Sequence, residues 1–186
     1  MVVRFTPFKC AVAAFLLLQS VSVPAFAQSD ELDELYEQLQ AADEASHQRI
    51  SDEIRLAWKR SGSAAMDLLL RRGTEALEEG NALEAAEHFS ALIDHAPDFA
   101  EGYHGRASAY FANGLMGPAI DDLRQTLVLV PRHYEAMFGL ASIMEGLERP
   151  EDALEVYQLI LDIYPLNQLA LDATVRLEEQ LRGQSL

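Results

Sequence analysis

The sequence predicts an all-α chain built from three consecutive helix pairs, and three observations carry that prediction. Pro97, Pro131 and Pro165 fall at one fixed interval, taken twice in succession. Small residues recur in the same register: Gly73, Ala107 and Ala141, then Ala85, Ala119 and Ala153. Turn-forming segments lie midway between the prolines, "EGN" at 79–81, "NGLMGP" at 113–118 and "GLERP" at 146–150. A fixed period of this length signals a repeat architecture before any single element is assigned.

The first element is a leader. Arg4 and Lys9 precede the apolar run "CAVAAFLLL" at 10–18, and Pro24 precedes "AFA" at 25–27. A positive start, a short apolar stretch and a small-residue site form the pattern of a secretory signal peptide, residues 1–27. The run is short for a transmembrane span, although an uncleaved anchor is the alternative. Cleavage near Ala27 implies an exported, most simply periplasmic, protein. It would also remove Cys10, the only cysteine, leaving a domain stabilised by its core rather than by disulfides.

Residues 28–63 come next. "DELDELYEQLQAAD" at 30–43 places Leu32, Leu35, Tyr36 and Leu39 on one helical face. "ASHQRISDEIRLAWKRS" at 45–61 does the same with Ile50, Ile54, Ala57 and Trp58, and "SGS" at 61–63 breaks the chain. Two readings stand: a degenerate repeat stacked on the first unit, or a separate helical hairpin that binds a partner or makes a homodimer.

The three units are then 66–99, 100–133 and 134–167 within residues 64–186. Two antiparallel helices approach to about 8–10 Å only where the side chains at their crossing are small. Gly73 with Ala85, Ala107 with Ala119 and Ala141 with Ala153 supply those crossings. Phe89, Leu123 and Tyr157 fill the space towards the next helix. Pro97, Pro131 and Pro165 end each second helix, since proline lacks the N–H that a further turn needs. Pro118 and Pro150 suit the start of a second helix. The segment 168–182 keeps helical spacing through Leu169, Ala173, Leu177 and Leu181, and reads as a capping helix that Gly183 stops.

These residues and their period resemble the tetratricopeptide repeat, a helix–turn–helix unit of about 34 residues. Arg72 and Arg106 depart from it by standing where the family has a large aliphatic residue. Ala76 and Met144 replace an aromatic that Tyr110 keeps. The resemblance implies a right-handed superhelical array whose first helices line a concave surface. It implies a protein- or peptide-binding adaptor or scaffold. On that likeness the surface carries Leu70, Phe111 and Phe138 at an apolar centre, with His104 beside them. Asp67, Glu101 and Glu135 recur along one edge. A partner segment with apolar anchors and Lys or Arg would complement such a groove. The family's grip on a peptide carboxylate is disfavoured, because the matching Lys and Asn residues are missing.

Charge narrows the partners. Lys plus Arg number 14 against 30 Asp plus Glu, a net charge of −16. Nucleic acid binding by phosphate neutralisation needs the opposite balance, and anionic lipid would repel the chain. Chemistry is not signalled. His47, His88, His95, His104 and His133 include no pair with the i, i+4 spacing that a helical zinc motif requires. There is no phosphate-cradling glycine loop and no nucleophile elbow. The sequence therefore predicts no enzyme, metal, cofactor or small-molecule substrate.

Overall fold

The computed structural model describes residues 25–184, with side chains from 30 to 183; residues 1–24 of the expected leader 1–27, with Cys10, lie outside the described residues. Among the described residues there are nine α-helices and no strand. They are α1 (Ala25–Gln40), α2 (His47–Trp58), α3 (Ala64–Glu78), α4 (Ala82–His95), α5 (Ala100–Ala112), α6 (Met116–Leu129), α7 (Tyr134–Gly146), α8 (Pro150–Ile163) and α9 (Gln168–Gln184). From α3 to α9 each helix packs on the next, and α3 also reaches α5 across the intervening helix. This is a solenoid of three helix pairs with a terminal helix. No helix among the described residues is long and apolar enough to cross a membrane.

The repeat is written into the backbone as well as the side chains. Each first helix ends in the same Schellman turn, in which a left-handed residue lets two N–H groups reach back to orphan carbonyls. Asn81, Leu115 and Arg149 N–H groups donate to the carbonyls of Ala76, Tyr110 and Met144 at 2.8, 2.9 and 3.0 Å. The left-handed position is Gly80 in the first unit and Gly114 in the second, at φ 80° and 73°; in the third it is Glu148, at φ 58°. The small crossing residues are buried as expected, with Ala85, Ala119 and Ala153 wholly so. At the first crossing the fit is tight. A Cβ on Gly73 or Gly105 would lie 2.6 or 2.4 Å from the ring of Phe89, so this ring occupies space that two glycines leave open.

Arg106 does not loosen its unit. Its guanidinium donates from Nε and Nη2 to both oxygens of buried Asp122, at 2.7 and 2.8 Å, joining α5 to α6. It also lies over the rings of Tyr103 and Tyr110. A planar fork on a carboxylate thus replaces the aliphatic contact. Gly183 does not stop α9, which continues to Gln184. A single helical glycine costs about 1 kcal/mol and need not break a helix end.

The hairpin α1–α2 forms, but it does not extend the array at its first face. Its buried stripe, Leu35, Tyr36, Leu39, Ile50, Ile54 and Trp58, joins one core with Tyr134, Tyr157, Ile160, Ile163 and Tyr164. The first unit keeps a smaller core of its own around Leu70, Phe89 and Leu92. The hairpin therefore folds back onto the third unit. Trp58 Nε1–H donates to the Tyr36 hydroxyl and ties its two helices together. Polar contacts then locate it on the array. Ser51 Oγ meets the Tyr134 hydroxyl at 3.0 Å. His47 Nδ1 meets the Tyr164 hydroxyl. Gln40 Nε2 donates to the Asp162 carbonyl at 2.8 Å. Arg55 donates to Glu135, and Arg132 to Asp33. The face a hairpin-driven homodimer would use is thus covered by the chain itself.

Candidate functional site

Helices α3, α5 and α7 place equivalent residues of successive units side by side, and their inner faces form two adjoining hollows. One, of about 570 Å³, is floored by Leu70, Leu77 and the ring of Phe89, with Lys59 of the hairpin at its mouth. The other, of about 260 Å³, lies between Phe111, Leu123, Phe138 and Ile143. His104 and Ser108 border both, so the hollows form one groove. Gly105 and Gly139 also line it, and the room that Gly105 leaves is taken by the Phe89 ring.

The middle of the groove wall offers few polar groups, whereas Lys59, Arg71, Glu75 and Glu78 also line the larger hollow. Thr74, Ser108 and Ser142 hold the same position in the three units. Each hydroxyl donates to a carbonyl one turn back, that of Leu70, His104 and Phe138, at 2.9, 3.1 and 2.9 Å. Side-chain hydroxyls bonded to their own helix present carbon to the groove.

The acids expected along one edge are engaged within the chain. Asp67 accepts from the Ser61 amide and hydroxyl. Glu135 pairs with Arg55 Nε at 2.5 Å. Glu101 is buried and accepts from His133 Nε2 at 2.8 Å. For Glu135 the reason is the hairpin, whose Arg55 on α2 reaches it; Glu101 is engaged by His104 of its own helix and by His133 in the turn before α7. The expected acidic edge for a basic partner is therefore spent on internal contacts.

Of the residues named from the sequence, Leu70 is buried in the groove floor and Phe111 stands 47% exposed. Phe138 is half-buried and meets Tyr157 edge-on, with centroids 5.4 Å apart, so it belongs partly to the core. His104 sits 3.8 Å from Glu101 through Nδ1. The sequence reading missed His133 and Trp58. Trp58 stacks on the His133 ring at 3.8 Å and 13°, and His104 tilts against the same ring at 4.6 Å. A hint was available: His133 precedes α7 where Asn167 precedes α9, and both are capping positions. Ala136 N–H donates to His133 Nδ1 at 3.1 Å, and Ala170 N–H to Asn167 Oδ1 at 3.0 Å.

Glu101, His104 and His133 bring possible metal-ligand atoms within 4.8 Å of one another. The hydrogen bonds speak against that use. His133 Nδ1 accepts from Ala136, so the ring proton is on Nε2, where it is given to Glu101 and leaves no lone pair for a metal. Electrostatics follow from the same bonds. Burial opposes ionisation of Glu101, yet its contacts with His104 and His133 outweigh this and hold it well below the usual carboxylate range. Burial also opposes charge on His104, but Glu101 and Glu135 prevail and raise its pKa. At His133 burial prevails, aided by the neighbouring His104, and the pKa is lowered. The cluster thus favours the charged form at Glu101 and His104 and the neutral form at His133.

The family profile described as tetratricopeptide repeat matches residues 70–125 and 118–167. A TPR repeat-containing protein of Rhizobium etli is 31% identical over 181 residues, covering 96% of this chain and 88% of its own. The chain belongs to the tetratricopeptide repeat family. The Hsp70-Hsp90 organizing protein of Triticum aestivum is 28% identical over 110 residues, 59% of this chain; this tetratricopeptide repeat protein spans 19% of that relative. Among solved structures, the first TPR of Spaghetti (RPAP3), bound to the HSP90 peptide SRMEEVD, superposes with a TM-score of 0.60. It is 22% identical and covers 63% of this chain and 93% of its own. That likeness concerns the fold.

Proposed function

We propose that this tetratricopeptide repeat protein is a non-catalytic adaptor that binds a segment of another protein along the concave groove. The observation that carries the reading is the joined pair of hollows, whose shared wall is carbon and hydroxyls already bonded to their own helices, with Lys59, Arg71, Glu75 and Glu78 around the larger one. Such a surface offers apolar contact at its centre, and exposed apolar grooves of this kind are contact surfaces. The first TPR of Spaghetti, a protein of this fold, has a peptide bound to it, which supports the same reading.

The partner's anchors are apolar on this view. Basic residues in the partner gain little from Asp67, Glu101 and Glu135, which are engaged. The leader pattern supports a place in the cell envelope after cleavage near Ala27. The mass of the mature chain recovered from fractionated cells would decide that point.

The groove is tested through Phe111, because Phe138 supports the core. The full chain and Phe111→Asp are used to capture proteins from a cell-envelope extract. The expected result is a protein retained by the first and lost by the second, with equal helical content. Equal retention by both places the binding surface elsewhere.

A further inference from the structure

We infer that the Glu101–His104–His133 cluster is a proton-operated latch: acid charges His133 and lifts Trp58, with the end of α2, off the repeat array. The inference stands apart from the groove reading and needs no partner.

The geometry is specific. His133 is wholly buried and makes three contacts that each fix its state. Its Nδ1 accepts from Ala136 N–H, which caps α7. Its Nε2–H is given to Glu101. Its face carries the Trp58 indole. A proton on Nδ1 would set donor against donor at Ala136. The ring would have to turn, losing both the cap and the stacked surface on which Trp58 rests. It would also place a second cation against His104, whose ring is 4.6 Å away.

The surroundings do not rescue the charge. Glu101 on α5 favours the charge through its 2.8 Å bond to His133 Nε2, but it is shared with His104 and burial outweighs it, and Glu135 on α7 is paired with Arg55 of α2. Lys59, just after α2, adds positive charge beside His104. From α1 the Tyr36 hydroxyl is bonded to Trp58, and the Arg132 guanidinium lies over the Tyr36 ring. His95, on the α4 side, borders the cleft next to Trp58.

The direction follows. Seating disfavours charge on His133, and the freed ring takes a proton more readily, so acid favours the freed form as pH falls below 6.5, the ordinary histidine value. His104 acts in the opposite sense: its favourable charge is present below 6.5 and is lost only as pH rises through its elevated pKa. Glu101 contributes an acid response only below 4.5. Between these values His133 alone in the cluster drives release.

Trp58 is the chain's single tryptophan, so its emission reads the latch directly. The experiment titrates the full chain between about pH 8 and pH 5, the histidine range, following emission, acrylamide quenching and far-UV circular dichroism. The expected result is a reversible red shift and a severalfold rise in quenching as pH falls, with helicity kept. His133→Asn keeps a cap of the kind used at the equivalent Asn167 but removes both the titrating group and the stacked ring, so Trp58 emission should no longer change with pH and should resemble that of the parent's acid form. His47, at the other end of α2, is untouched by that change. Nuclear magnetic resonance of the His133 ring supplies a second measure: its charging should coincide with the Trp58 shift. A Trp58 signal flat across the range, a transition that survives His133→Asn, or a His133 that titrates with Trp58 still seated would each overturn the latch.

Discussion

The repeats and the hairpin are held by different kinds of contact, although both are helix pairs with buried apolar stripes. In the repeats the main contacts are echoed from one unit to the next. The Schellman turns, the crossing alanines and the self-bonded Thr74, Ser108 and Ser142 all recur. The hairpin contacts occur once each: Ser51 on Tyr134, His47 on Tyr164, Trp58 on His133. A periodic interface is specified by a rule. A single interface is specified only by its particular partners. The difference predicts where stability is shared between neighbours and where it is local.

The strongest test of that contrast is Phe89→Ala. Phe89 is buried and fills the space that Gly73 and Gly105 leave, so truncation empties a site whose glycine walls have no side chain to collapse into it. The expected loss is about 3–5 kcal/mol in the first unit's core. The hairpin and third unit share a separate core that does not include Phe89. Urea unfolding followed by far-UV circular dichroism should then separate into two steps, while Trp58 emission keeps the later one. Coincident transitions would show that the two cores unfold as one and that the contrast has no energetic content.

This contrast also explains what the sequence made legible. Pro97, Pro131 and Pro165 and the alanines between them marked out the units, since a fixed period repeats the same physical demand three times. The apolar stripes of α1 and α2 were legible for the same reason, at the scale of one helix. Where the hairpin docks was not. Ser51 and Arg55 carry no periodic mark, and their partners lie 83 and 80 residues away; His133 shares its register with Asn167, but that marks a cap and not the contacts with Glu101 and Trp58. The groove was half legible. The register placed Leu70, His104 and Phe111 on one surface, but it assigned Glu101 and Glu135 to a partner because nothing in it placed His133 beside the first or Arg55 beside the second. The histidine cluster escaped because a search by helical spacing cannot see residues gathered from α5 and from the turn before α7.

A smaller effect sharpens the hairpin side. Tyr134→Phe removes a hydroxyl that meets Ser51 Oγ at 3.0 Å and the Ser51 carbonyl at 3.3 Å, while the ring stays in the core. Ser51 is wholly buried and would lose this side-chain partner. The expected cost is about 1–2 kcal/mol. Thermal melting followed by Trp58 emission should register it before far-UV circular dichroism does. Equal shifts in both signals would mean that the hairpin and array melt together.

The smallest effect tests the repeat rule at the point where the chain breaks it. Gly80, Gly114 and Glu148 occupy the same left-handed position, and the third unit alone has a side chain there. A non-glycine residue in this region suffers a close approach of Cβ to the backbone, whereas the turn's hydrogen bonds are the same in all three units. Glu148→Gly relieves that contact but gives the unfolded chain more freedom, so the two effects oppose each other. Glu148 also stands with Glu145 and Glu151 around the cleft between α7, α8 and α9, and its removal reduces repulsion there. The balance is a gain of about 0.5–1 kcal/mol. For a domain of this size that corresponds to a rise of about 1–4 °C in Tm. A fall in Tm would mean that Glu148 makes a contribution in the turn that outweighs its strained backbone. The third unit, the one on which the hairpin is seated, would then obey a different rule from the two before it.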